Sequence, residues 1–330
     1  MTTPAYQQFT DLMKRGAPGE AIDFADRQCL LPGANKPFWL TRKAAALNSK
    51  GKFADARASA EEALVLDPKN GWALVVRGEA LAGEGRIDES LADFEEAALM
   101  PKTALRGRKG IAECLSKLGQ WDRLLSLLPQ WDLPELDAFP WRVKALAGLE
   151  RTGEAIGVCR EWLKRAPDNP PALWELTKLE VAVEGIDAVR ERMQRLAKIP
   201  SRPPIYAEIY ASLCRQSGIA DAAVRQYEKL SARTGDPRIA RKQAFALAKA
   251  GREREAIPVM EELLRLDPRD MYIHSAFIAA CKRVGDLERA WKFYHELVAL
   301  HPDEKTLYGR INRIRKSIEN AEPREADEDR

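Results

Sequence analysis

The sequence predicts an all-α protein, a solenoid of stacked helix–turn–helix repeats, and three observations carry that expectation. Segments Pro237–Asp270 and Met271–Glu304 overlay residue on residue, with Gly251 on Gly285, Ala256 on Ala290, Met260 on Tyr294, Leu263 on Leu297 and Pro268 on Pro302. The same 34-residue interval separates Gly51, Gly85 and Gly119, then Phe53, Ile87 and Trp121, then Ala63 and Ala97. A fixed period of this size marks a repeat array, in which one unit recurs and stacks on its neighbours. Within a period the pattern is helical: Leu40, Lys43, Ala44 and Leu47 stand at i, i+3, i+4 and i+7.

Taken in order, 2–36 carries Phe9, Leu12, Gly16, Ala21 and Ala25 at repeat spacings and ends irregularly, as a half-exposed first repeat does. In 37–70 Gly51 permits the turn between the two helices, and Ala56, Ala60 and Ala63 give the second helix a small-residue stripe for close packing. Asp67-Pro68 stops that helix and Asn70 is placed to cap the next. Segment 71–104 repeats the scheme. Segment 105–135 keeps Gly119 and Trp121, but Pro129 cuts its second helix short. The run from Pro129 to Trp141, with Pro134, Pro140 and Trp131, reads as a longer connection whose tryptophans fill the gap between repeats, or as a hinge or docking ledge. Segment 136–169 returns to the pattern, 170–203 is degenerate, and 204–236, 237–270 and 271–304 are regular, making nine repeats. Residues 305–320 form a capping helix with Leu307, Ile311, Ile314 and Ile318 inward and Arg310, Arg313 and Lys316 towards the other face. Residues 1–320 are thus expected to form a single solenoid, with 321–330 a disordered acidic tail.

These residues resemble the tetratricopeptide repeat family. Leu74, Gly78, Leu81, Phe94 and Ala97 fall on its pattern in 71–104, with Pro101 one place early. Phe277, Ala290, Tyr294 and Pro302 fall on it in 271–304. The resemblance spans about Thr2 to Glu304 and is most specific in 37–104 and 204–304. It implies a right-handed α-solenoid and a non-catalytic scaffold or adaptor that binds a segment of another protein or peptide in a concave groove.

Composition sets bounds on the alternatives. The chain of 330 residues is 45% hydrophobic and 31% charged, with a net charge of +3, and the tail is near −3, which leaves the body near +6. That mild bias argues against nucleic acid, whose backbone demands a basic stripe. An RNA-binding helical repeat is the runner-up reading, faintly supported by Trp291-Lys-Phe-Tyr294. An accessory subunit of an enzyme or assembly complex is a third. Five widely spaced cysteines without a CxxC pair read as buried small hydrophobes in a reducing compartment. With no secretory signal or membrane span in the pattern, a cytoplasmic location is expected, without membrane insertion.

No catalytic motif is present. His295 and His301 are six apart and point to different helix faces, whereas two ligands on one helix need i, i+4. No phosphate loop, nucleophile elbow or paired thiol appears, so no enzyme activity, cofactor or metal is expected. Oligomeric state is left open.

The family's groove rule assigns positions 2, 5, 6, 9 and 12 of each first helix to the inner face. Applied here it implies a peptide-binding set of Arg42, Trp72, Arg106, Lys109, Trp141, Lys144, Trp174, Lys178, Arg238, Arg241, Lys242 and Tyr272. Phe38, Thr41, Asn48, Glu79, Arg215 and Phe245 fall on the same positions. Cations interleaved with aromatic rings suit an acidic peptide, the rings giving area and the cations orienting carboxylates. An ordinary solvated charged face is the alternative. The family's clamp for a chaperone C-terminus is absent, since its Lys and Asn positions hold Thr41, Ala45, Val75 and Glu79. Arg238, Arg241 and Lys242 are the densest expected basic cluster.

Overall fold

The computed structural model of the chain describes residues 4–131 and 133–319. The expected acidic tail, 321–330, lies outside the described residues. Among the described residues there are nineteen α-helices, one short 3-10 turn and no strand, and successive helices pack on one another as in a tetratricopeptide solenoid. Two compact units are distinguished, Met1–Ala172 and Leu173–Arg330.

The first unit contains α1 (Pro4–Lys14), α2 (Pro18–Cys29), α3 (Lys36–Ser49), α4 (Phe53–Leu66), α5 (Gly71–Gly83), α6 (Ile87–Ala98), α7 (Ala104–Lys117), α8 (Trp121–Leu127), α9 (Glu135–Gly148) and α10 (Thr152–Arg165). Each packs on the next, and α3, α5, α7 and α9 also pack on one another, so the first helices of the pairs share a face. Short antiparallel connections place the turns within pairs at one edge and the connections between pairs at the other. Gly51, with φ of 71°, makes the within-pair turn that residues with a Cβ enter only at a cost. Glu150 occupies the matching turn before α10 with φ of 59° and accepts that strain.

Alanines with no exposed surface fill the contacts within and between pairs: Ala44 with Ala60 inside one pair, and Ala56 with Ala80 and Ala63 with Ala73 between that pair and the next. Phe94 is wedged between Gly78 and Gly110, where an added Cβ would fall 3.1 Å and 2.4 Å from its ring. Pro129 ends α8 after seven residues in a 3-10 turn, Leu128–Gln130. Trp121, Trp131 and Trp141 are half-buried against the core around Phe94, Leu115 and Leu124. They act as gap fillers there.

The second unit holds almost all of α11 (Pro170–Glu184), then α12 (Ile186–Ala197), α13 (Pro204–Gln216), α14 (Ala220–Thr234), α15 (Pro237–Lys249), α16 (Glu253–Leu266), α17 (Met271–Arg283), α18 (Leu287–Leu300) and α19 (Lys305–Glu319). One continuous core runs through α13–α19, with Tyr227, Phe277 and Tyr294 fully buried. His274 is buried in the same layer, its Nδ1 2.8 Å from the Tyr294 hydroxyl and its Nε2 2.9 Å from the Pro268 carbonyl. Arg310 corrects one expectation: it is buried rather than outward-facing. Leu307, Arg310 and Ile314 stand at i, i+3 and i+7, one stripe of α19, and the Arg310 Nη2 lies 2.8 Å from the Met271 sulfur.

Candidate functional site

In the first unit, the starts of α3, α5 and α7 enclose a cleft of about 510 Å³ lined by Phe38, Thr41, Arg42, Lys69, Trp72, Met100 and Lys102 among others. Local chemistry sets its walls. The side chain of Asn35 accepts from the Phe38 N–H at 3.1 Å and that of Asn70 from the Ala73 N–H at 3.1 Å, which fixes both helix starts. Gly71 is needed where it stands, because a Cβ would come 2.5 Å from the Thr103 hydroxyl and 2.8 Å from the Met100 sulfur. That hydroxyl donates in turn to the Ala97 carbonyl at 2.8 Å and holds the far wall.

Arg42 is one of the charged residues of the cleft, with Asp67, Lys69 and Lys102. Its guanidinium carbon lies 4.9 Å from the Phe38 ring centroid and 5.0 Å from that of Tyr6, within cation–π range of both. Its Nε is buried without a hydrogen-bond partner, and among the described residues no carboxylate pairs with it. A buried unsatisfied donor costs about 1–3 kcal/mol, and more when charged. Trp72, 42% exposed, forms an open apolar wall.

The other expected face residues of this unit are differently placed. Arg106 binds Glu79 of the neighbouring helix, with Nε at 3.1 Å, and that hydrogen bond raises the Arg106 pKa. Lys109 pairs with Asp137 at 3.4 Å. Lys144 is exposed, with its ammonium 5.6 Å from the Trp141 ring. Asn48 donates to the Val76 carbonyl at 2.9 Å and is used to join two repeats.

In the second unit, Arg215, Arg238, Arg241, Lys242 and Phe245 do come together, around a cavity of about 380 Å³. Three of the cations meet acids of the same chain. Arg238 binds Asp236 at 2.8 Å, which pulls the Asp236 carboxyl below its usual range. Arg241 meets Asp270 at 3.3 Å and lies over the rings of Tyr272, at 5.6 Å, and Phe245, at 5.9 Å. Lys242 pairs with Glu208 and lies 5.6 Å from the half-buried Trp174 ring. Tyr272 and Lys178 are exposed. The expected basic cluster is thus a set of ion pairs. Reading the sequence by face placed Glu79 there without pairing it with Arg106, and missed Asp137, Glu208, Asp236 and Asp270; the visible signal was an opposite charge one period from Lys242.

Among the described residues no His, Cys, Asp and Glu set gathers as a metal site, and no helix is long and apolar enough to cross a membrane. None of the five cysteines is in a disulfide, and four of them are buried.

Paired helices at a 34-residue period, with a side-chain face assembled from the first helix of each pair, define a helical repeat protein. Residues 42–104 match the family model for the tetratricopeptide repeat. That stretch is tetratricopeptide repeat sequence, and the helices on both sides of it have the same paired architecture. Among solved structures the chain is similar to the second such domain of human RPAP3 in complex with an HSP70 peptide, with 23% identity over 33% of this chain and 91% of that one and a TM-score of 0.31. A tetratricopeptide repeat protein from Parabacteroides merdae shares 14% identity over 85% of this chain and 99% of that one, with a TM-score of 0.39. The corresponding domain of P58(IPK) shares 14% over 97% and 99%, with a TM-score of 0.29. Likenesses this loose define no residue of the site. No curated protein sequence matches the chain.

Proposed function

We infer that the chain is a non-catalytic adaptor of the cytoplasm that holds a segment of a partner protein along the face made by the first helix of each pair. The partner segment is anchored in the first unit, where it places a carboxylate against Arg42 and an apolar side chain against Phe38 and Trp72. One observation carries this reading: the Arg42 guanidinium lines an open cleft with one N–H unmatched and, among the described residues, no acid paired with it, Asp67 on the cleft wall included. A bound carboxylate would satisfy the cation at its in-plane edge, where charge-assisted hydrogen bonds are strongest. The second-unit cations contribute less, because a ligand must first compete with Glu208, Asp236 and Asp270. Cysteines outside any disulfide agree with a reducing compartment.

The reading is tested by crosslinking and affinity capture with the wild-type chain, Arg42→Ala and Trp72→Ala, followed by mass spectrometry. The expected result is a protein partner that the wild type captures and both variants lose. Partners retained equally by both variants would overturn it, as would tight single-stranded RNA binding with a steep salt slope.

A further inference from the structure

We propose that the edge of the first unit that carries the connections between helix pairs is a contact surface for an anionic lipid bilayer, met at the headgroup level without crossing. Every large apolar side chain exposed in this unit, among the described residues, lies on that edge. Leu30 and Leu31 stand at the α2–α3 junction, Val65, Leu66 and Trp72 at the α4–α5 junction, and Leu99 and Leu105 at the α6–α7 junction. Leu30, Val65 and Leu99 are 84%, 80% and 84% exposed. The opposite edge is different: its turns hold Arg15, Lys50, Lys52, Glu84, Arg86 and Gln120 and no exposed large apolar side chain.

Repeat geometry accounts for part of this arrangement, since Leu66 has exposed counterparts in Leu266 and Leu300 and Trp72 has one in Tyr272, but not for all of it. Leu31, Val65 and Leu99 are 34 apart and share one register position. When Leu66-Asp67-Pro68 is aligned with Leu266-Asp267-Pro268 of the second unit, the residue at that position is Arg265. Concentrating exposed aliphatic surface on one edge marks an interaction site rather than chance.

Charge and shape select the partner. Each connection carries one exposed lysine, Lys36, Lys69 or Lys102, and Asp67 is the only acid in 30–36, 65–72 and 99–105. Lysine stems cover apolar surface while their ammonium groups meet lipid phosphates, and a tryptophan such as Trp72 settles at the same depth. The aliphatic side chains stand on separate tips, each stiffened by a proline, Pro32, Pro68 or Pro101. A row of separate tips suits a flat, deformable surface that each tip enters by itself, whereas a partner helix needs a continuous apolar groove. The cleft of Arg42 shares Lys69, Trp72 and Lys102 with this surface, so the aliphatic tips Leu30, Val65 and Leu99, which do not line the cleft, distinguish the two readings.

Vesicle flotation with the full chain tests the proposal, using phosphatidylcholine alone and phosphatidylcholine with about 30% phosphatidylglycerol. The chain floats with the anionic vesicles and not with the neutral ones. The variant Leu30→Ser, Val65→Ser, Leu99→Ser lowers the bound fraction roughly tenfold or more, since its lost contacts are the apolar ones. Lys36→Gln with Lys69→Gln and Lys102→Gln removes the preference for anionic lipid, and Arg42→Ala floats like the wild type. All substituted edge positions are exposed, and an unchanged circular dichroism melt confirms folding. Absence of flotation with anionic vesicles, or flotation indifferent to the serines, overturns the proposal. So does self-association in lipid-free sedimentation that the serines abolish while flotation is absent, which would make the edge a contact between proteins.

Discussion

Lys242 of α15 is paired with Glu208 of α13, one repeat period earlier in the chain. Arg238 and Arg241 are likewise held by Asp236 and Asp270. A cluster that reads as strongly basic along the sequence is therefore close to neutral, whereas Arg42 of the first unit has no paired acid among the described residues. Changing Lys242 to Ala should weaken partner binding by less than about threefold, because exposed pairs are worth about 0–1 kcal/mol and Glu208 already occupies the lysine. Arg42→Ala should weaken it by roughly tenfold to a hundredfold, the loss of a charge-assisted hydrogen bond of about 1.5–3 kcal/mol. Titration calorimetry with the captured partner compares the two; equal losses would remove Arg42 from its assigned place.

One substitution, glycine to alanine, should have opposite signs at two helical positions of the first unit. At Gly107 a Cβ would lie 2.6 Å from the Ala98 backbone nitrogen and 2.7 Å from the Phe94 carbonyl oxygen, and backbone does not give way cheaply. Gly107→Ala should destabilise by about 1–3 kcal/mol, the cost of overpacking. At Gly157 nothing lies within 4 Å, so Gly157→Ala should stabilise by about 0.5–1 kcal/mol through helix propensity. Urea midpoints at constant slope measure both.

Glu150 offers a gain by the reverse change. It sits at φ of 59°, where glycine stands in the turns at Gly51, Gly85 and Gly119. Glu150→Gly should raise stability by about 1 kcal/mol, the cost of a left-handed residue with a Cβ. A lower urea midpoint for the variant would show that the turn is held by something other than backbone geometry.

His274 should make the second unit sensitive to acid. Burial lowers its pKa; the Pro268 carbonyl acts the other way, Arg310 of α19 lowers it further, and Asp270 and Asp267 raise it. The folded imidazole is neutral in this setting, donating from Nε2 to the Pro268 carbonyl and accepting at Nδ1 from the Tyr294 hydroxyl. The unfolded chain takes up a proton near pH about 6.5, above the folded value, so acidification favours unfolding. Stability is then full above about pH 6.5 and falls as pH drops through and below that value. Thermal melts of wild type and His274→Gln should diverge in this way, the variant losing the acid-dependent decline that His274 contributes. An unchanged pH slope in the variant would assign the effect elsewhere.

The repeat lattice was legible because it is local. Gly51, Ala60, Asp67-Pro68 and Asn70 each act within a few residues, and repetition at 34 positions averages away the ambiguity of any single segment. Face membership was partly legible: Phe38, Arg42 and Trp72 do line one cleft, and Arg215, Arg238, Arg241, Lys242 and Phe245 line another. What the residues on those faces touch was not. Arg310 is charged and near a helix face with other cations, yet its register beside Leu307 and Ile314 buries it.

By itself the sequence determined that this chain is built of paired helices at a constant period, and which positions of each pair are small, apolar or turn-forming. Tertiary structure alone decided which cations are spent inside the chain and which remain open, and that the exposed aliphatic residues of the first unit share one edge. The physical reason is range. Helix and turn formation depends on neighbours a few residues apart, while the pairing of Lys242 with Glu208 and the isolation of Arg42 depend on how one helix lies against the next.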